Sequence, residues 1–265
     1  MKKAKKLLSL LLTGIMSVSL LAGCGENDEN TLVMGLDVSF PPMGFNDSNG
    51  ELVGFDVDLA KAVAEKMGVE LKLQAIDWNS KETELAGGTV DILWNGLTIT
   101  PEREEKMLFT RPYLKNRQVV VVRNDSSIQT LADMKGKTIV LQRGSTAVDA
   151  IEEEKNKEFR DSLGGEPTVF ADNITCFTQV ELERADAVVI DEVVADYFMA
   201  QDTQKGKFRK LDETLADELY GVAVRKDDTE LRDRIQKAMD ELYEEGKTAE
   251  ICEKWFGEDV YYTGE

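Results

Sequence analysis

The strongest constraint on this chain is a hydrophobic period that keeps switching. The stretch "VELKLQAI" (69–76) alternates apolar and polar residues, as a half-buried strand does. Just before it, "GFDVDLAKAVAEKMG" (54–68) sets Leu59, Ala60, Val63, Ala64 and Met67 on one helical face, with Gly68 as the stop. The pattern recurs. "TLVMGLD" (31–37), "VDILWNGL" (90–97) and the β-branched "RQVVVVRN" (117–124) read as strands. "KTIVLQ" (137–142) leads into the helical "RGSTAVDAIEEE", and "DAVVIDEVVADYF" (186–198) repeats strand into helix. "YGVAVRKDD" (220–228) is a further strand. "ELRDRIQKAMDELYEEG" (230–246) carries Leu231, Ile235, Ala238, Met239 and Leu242 on one face, and a last helix holds Ile251, Trp255 and Phe256. Such alternation predicts an α/β fold with largely parallel sheets. The 265 residues suffice for one large or two medium domains.

The N-terminus is of another kind. In "MKKAKKLLSLLLTGIMSVSLLAGCG" four lysines precede an apolar run over 7–21, too short for a favoured transmembrane span, which reads as a secretory signal peptide over 1–23. Leu21-Ala22-Gly23-Cys24 resembles the bacterial lipobox, which predicts cleavage before Cys24 and diacylglyceryl attachment to its sulfur. The alternative is an ordinary signal with a coincidental cysteine. Residues 24–30 then form a short lipidated tether. Removing the four signal lysines takes the formal charge from −19 to −23, which excludes a general nucleic-acid binder. No histidine occurs, so Ser-His and Cys-His hydrolases and most zinc enzymes are excluded. No phosphate loop of the GxxxxGK[ST] kind appears, and no cofactor or metal site is expected. Cys176 and Cys252 can pair or stand as small buried residues.

Four polar groups fall just after strands, where open α/β sheets bind ligands: Asp37, Arg103, Ser145-Thr146 and Asp191. In "LTITPEREEKMLF" (97–109) Thr100 is a natural N-cap and Pro101 fits the first helical position. Arg103 then faces the positive end of its own helix dipole. Either it swings into solvent at small cost, the simpler reading of this stretch alone, or an anion arrives there. "QRGSTAV" offers hydroxyls and free N–H groups at a strand-to-helix turn, which simple capping also explains. Asp191 is an N-cap or an acceptor for an ammonium. An arginine fork facing such a turn, plus an acceptor, matches a zwitterionic α-amino acid. Phe40, beside two prolines, and Trp78 are core residues or aromatic walls for a ligand.

Five ordered blocks resemble the amino-acid family of ABC-transporter solute-binding proteins, the bacterial family 3 extracellular binding proteins. They are "GLDVSFPPMGFNDSNGELVGFDVDLAKAVAEKMG", "GGTVDILWNGLTITPEREEKMLFTRPYL", "LADMKGKTIVLQRGSTA", "RADAVVIDEVVADYF" and "GVAVRKDDTELRDRIQKAMDELYEEG". The resemblance implies a two-lobe periplasmic-binding-protein-like (type II) fold with two crossover hinges, near "PYLKNRQ" and "KLDETL". Lobe 1 would be 31–114 plus 213–262, and lobe 2 would be 115–212. By the same resemblance Arg103 grips the α-carboxylate, with Ser145 and Thr146 opposing it. Asp191 accepts the α-ammonium, aided by Thr98 and the Gly96 carbonyl. Phe40 and Trp78 wall the side chain, and Asp37, Asn95 and Gln142 sit at the specificity end. The implied protein is a monomer, lipid-anchored outside the cell membrane, that delivers an amino acid to ABC permease subunits. Asn95-Gly96 and Ala147 depart from relatives, and "WNSKETEL" is more charged than usual, bringing Glu82 or Glu84 near solvent or the cleft. A polar or neutral amino acid is slightly preferred. An enzyme on the same fold, of the prephenate dehydratase or transglycosylase kind, is the alternative, because abundant carboxylates permit acid–base work.

Overall fold

The computed structural model describes residues 30–264. The signal peptide, Cys24 and nearly all of the tether lie outside the described residues. Two five-stranded sheets organise the rest. The first has the order β5 (Glu70–Ala75), β1 (Thr31–Leu36), β6 (Ile92–Leu93), β13 (Ala223–Arg225), β7 (Met107–Phe109). The second has the order β10 (Thr168–Phe170), β9 (Ile139–Gln142), β11 (Ala187–Asp191), β8 (Leu114–Arg123), β12 (Phe208–Tyr220). A small third sheet, β2 (Ser39–Phe40), β3 (Gly44–Asn46) and β4 (Leu52–Val53), leads into the first helix.

Both large sheets are mixed, which corrects the expectation of largely parallel ones. β1 runs parallel to β5 and β6, and β9 parallel to β10 and β11. β13 is antiparallel to β6 and β7, and β8 is antiparallel to β11 and β12. The reason is the route of the chain. β8 carries it out to the second sheet and β12 brings it back alongside, so the two must oppose each other. Their pairing runs from Arg123↔Phe208 to Leu114↔Tyr220, with irregular register between Lys210 and Ala216. The boundary expected at 212/213 falls inside β12.

Helices cover the sheets with the faces their sequences present. α1 (Phe55–Met67), α8 (Thr229–Glu244) and α9 (Lys247–Phe256) pack together beside the first sheet. α1 buries Leu59, Ala60, Val63 and Ala64, and ends on left-handed Gly68, whose N–H returns to Ala64 O. α8 buries Ile235, Ala238, Met239 and Leu242. α2 (Lys81–Ala86) and α3 (Pro101–Lys106) are single short turns at the cleft. Around the second sheet stand α4 (Thr146–Glu152), α5 (Lys157–Ser162), α6 (Asn173–Glu181) and α7 (Glu192–Ala200). Phe177 and Phe198 stack there at 3.9 Å between ring centroids. Cys176 and Cys252 are buried and unpaired in separate helices, so the disulfide option falls away.

Candidate functional site

The carboxyl ends of β1, β6, β9 and β11 deliver Asp37, Asn95, Gln142 and Asp191 to the space between the two sheets. α3 brings Arg103. Thr100 caps that helix, its hydroxyl accepting from Arg103 N at 3.2 Å, with Pro101 at the first position. The arginine side chain does not swing into solvent. It is 6% exposed, and Nη1 donates to the Thr98 carbonyl at 2.8 Å. Burial holds the guanidinium below its usual value, while the charges of Asp149 and Glu218 act the other way. Arg103 lines a cavity of about 1020 Å³ together with Thr98, Ser145, Thr146, Lys81, Asp149 and Glu218. A planar fork held in such a wall suits a carboxylate.

Asp191 is buried and stands at the N-cap position of α7, but its side chain makes no capping hydrogen bond. Its Oδ1 instead accepts from Tyr220 OH at 2.5 Å, Asn116 Nδ2 at 2.7 Å and Gln118 Nε2 at 3.0 Å. Burial pushes its carboxyl up to about 7, and the charge of Glu218 adds to the rise. Glu218 Oε2 accepts from the same two amides, at 2.7 Å and 3.2 Å, and from Thr98 Oγ1 at 3.2 Å. Ser145 Oγ donates to the Gln142 carbonyl at 2.8 Å, and Thr146 Oγ1 lies 3.2 Å from Thr98 Oγ1.

The remaining expected residues stand beside this cavity rather than in its wall. Asp37 Oδ2 accepts from Gln142 Nε2 at 2.6 Å, its Oδ1 accepts from Ser39, and its N–H donates to Asn95 Oδ1 at 2.9 Å. Phe40 lies against Gly96, whose φ of +58° admits no easy side chain; a Cβ there would come within 2.8 Å of the ring. Trp78 packs in an apolar cluster with Val33, Leu85, Val90 and Leu97.

Several groups went unread in the sequence. Lys81 is 4% exposed and donates to Gly144 O across the cleft at 2.8 Å and to Trp78 O at 3.2 Å. Burial first, then the nearby Arg103 charge, push its amine down to about 7. Its spacing from Leu85, one turn on, was the available signal. Of the two acids suspected in that segment, Glu82 lines the cavity and pairs with Lys106 at 2.8 Å, and Glu84 is half-buried away from it. Asn116, Gln118, Glu218 and Tyr220 lie on the inward parity of paired strands β8 and β12, a period-two signal masked by their polarity. Among the described residues no cluster is suited to a metal ion, and no helix is long and apolar enough to cross a membrane.

Comparison with known proteins settles the family. The model of bacterial extracellular solute-binding proteins, family 3, matches residues 32–258. The chain belongs to this family. It is 35% identical over 260 residues to the arginine-binding extracellular protein ArtP of Bacillus subtilis (strain 168), covering 95% of this chain and 98% of that protein. The L-cystine-binding protein TcyJ of Escherichia coli (strain K12) is 27% identical over 263 residues, covering 94% and 96%. Among solved structures, an ABC uptake transporter substrate-binding protein from Streptococcus pneumoniae with bound histidine superimposes with a TM-score of 0.85 at 38% identity, over 88% of this chain and 95% of that one. The likeness spans both sheets, so this chain has the two-lobe solute-binding fold.

Proposed function

We propose that this family 3 protein captures an L-α-amino acid between its two lobes and delivers it to an ABC importer. The carrying observation is that a buried guanidinium, Arg103, and a buried carboxylate, Glu218, backed by Asp191, line or adjoin one cavity. A zwitterion answers both charges at once. Arg103, with the Ser145 and Thr146 hydroxyls, takes the carboxylate. Asp191, with Thr98 and the Gly96 carbonyl, takes the ammonium. The side chain then extends between Phe40 and Trp78 towards Asp37, Asn95 and Gln142. To reach Asp37 or Gln142 it must replace the hydrogen bond between them, which favours a polar side chain with its own donor or acceptor. The names of the relatives, which specify arginine, cystine and histidine, agree with polar side chains. Three polar cross-lobe contacts, Gln142–Asp37, Thr98–Thr146 and Lys81–Gly144, support capture by closure.

Calorimetry with L-arginine, L-histidine, L-glutamine and L-cystine tests the reading. At least one should bind and shrink the radius of gyration in small-angle scattering. Absence of binding by all four and by the other L-amino acids would overturn it. Outside the described residues, we infer a lipid anchor at Cys24; a fatty-acid probe should label the wild type and not Cys24→Ala.

A further inference from the structure

Glu218 differs from Asp191 in position. It stands in the cavity wall with Arg103, Thr98 and Thr146, whereas Asp191 lies behind it. Asn116 and Gln118 each donate one amide group to both carboxylates, which clamps the two acids into one unit. Among the described residues, every donor to the pair is a neutral amide or hydroxyl: Asn116, Gln118, Thr98 and Tyr220. Gln118 is fully buried, and its Oε1, on the amide that holds the pair, has no hydrogen-bond partner among the described residues. The cluster is therefore rich in acceptors and lacks a cationic donor, and an orphaned buried acceptor is costly to leave so.

We propose that Glu218 is a specificity-determining residue of this cleft: the wall carboxylate that, with Asp191 behind it, receives the ligand's cationic nitrogen and discriminates against analogues carrying a neutral group there. The inference deepens the amino-acid reading and rests on it for the identity of the cation. A hydroxyl offers one hydrogen to this cluster, whereas an ammonium offers three and a positive charge. Burial first, and then the charge of the neighbouring Glu218, push the Asp191 carboxyl up to about 7, so in the ligand-free protein it retains its proton into the neutral range. An arriving ammonium favours both carboxylates as anions, and that proton leaves to solvent. Affinity therefore rises with pH up to the Asp191 titration and flattens above it. Among the described residues, the charged and titratable groups around the pair include Arg103 on α3, Asp149 on α4, Tyr113, Lys115 and Arg117 on or beside β8, Tyr220 and Asp217 on β12, and Glu192 at the start of α7. Glu192 is engaged by Arg117 and Lys210.

Glu218→Gln tests this, because its amide oxygen still accepts from Asn116 and Gln118 while the charge is gone. Two ligand pairs serve as probes: L-arginine with L-argininic acid, and L-histidine with L-imidazolelactic acid. In each pair a hydroxyl replaces the ammonium. Wild type should prefer the amino acid by about a hundredfold, and Glu218→Gln by about tenfold or less, a loss of one decade or more in discrimination. The rising limb of affinity against pH should also move to lower pH. A merely structural role would weaken both members of a pair equally and leave the limb in place, which would overturn the proposal. A ligand-free arm separates this from the wider reading: carboxyl ¹³C NMR of Asp191 should titrate lower in Glu218→Gln than in wild type. An unchanged titration overturns the pairing. If the titration responds but wild type binds no amino acid, the pair stands as a cation acceptor and the amino-acid reading fails.

Discussion

Asp56 and Asp191 are both buried, both accept from a tyrosine hydroxyl, and both have a carboxyl pushed up to about 7. Their surroundings differ. Asp56, in the first turn of α1, accepts from Gly96 N at 2.7 Å and Tyr113 OH at 3.0 Å, and burial alone raises it. It pins the turn after β6 and is not in the cavity wall. Asp191 has burial as its first cause too, but a second carboxylate as its next. The same shift thus arises from an architectural clamp and from an acceptor cluster. What separates them is the neighbour, Glu218, and through it the cavity.

The largest expected effect probes the opposite charge. Arg103→Ala should cost about 2–5 kcal/mol of amino-acid binding by leaving a carboxylate unpaired, a fall of roughly thirtyfold or more by calorimetry. If the variant binds as the wild type does, the arginine belongs with Asp56 as architecture.

Next, Asp191→Asn and Asp56→Asn should part company. Asp191→Asn should lower affinity by about tenfold or more, whereas Asp56→Asn should stay within about twofold, since its amide oxygen still accepts from Gly96 N. In stability the two should agree. A carboxyl raised in the folded state binds its proton more tightly there than in the unfolded chain, whose carboxyl titrates near 4. Wild-type stability is therefore lost as pH climbs from about 4 to about 7, and each asparagine variant escapes that loss. Ligand-free melting should show each variant gaining on wild type across that window and level above it. An affinity loss in Asp56→Asn equal to that in Asp191→Asn would erase the distinction.

The smallest effect concerns whether the charges must be brought together by closure. Gly144 has φ of +72°, and a Cβ there would lie 3.0 Å from Asn79 Cα across the cleft. Gly144→Ala should weaken binding by about threefold to tenfold, because the added Cβ crowds Asn79 only when the cleft is closed; the backbone cost of roughly 1–2 kcal/mol at positive φ falls on open and closed forms alike and cancels. Scattering at saturating ligand should show a larger radius of gyration than wild type. Unchanged compaction would mean that the Asn79–Gly144 approach does not limit closure.

Much of this was legible locally. The face of α1, the face of α8, the cap at Thr100 and the strand-end placement of Asp37 and Asp191 all follow from nearest-neighbour chemistry. The direction of Arg103 does not, because the dipole favours outward by a few tenths of a kcal/mol and tertiary burial decides inward. Lys81 went unread because, beyond its spacing one turn before Leu85, nothing in "WNSKETEL" reveals that Gly144 will sit above it. Asn116, Gln118 and Glu218 hid for a related reason. Their parity was inward, but polar residues at inward positions make sense only once the neighbouring strand supplies their partners. The mixed sheets were missed because period reports burial and not strand direction.

The route of the chain also bears on how the molecule comes into being. β6 needs β13 beside it, through Leu93↔Ala223 and Ile92↔Val224, yet β13 follows the whole of the second sheet in sequence. A chain emerging from its N-terminus therefore presents the bare edge of β6 while the second sheet is still being made. Such an edge can template pairing with another chain. Non-local closure of this kind also slows folding. The short β6, only two residues long, limits that hazard. The last few dozen residues thus act as the step that commits the first lobe to its final form, and truncations there should be felt at the opposite end of the sequence.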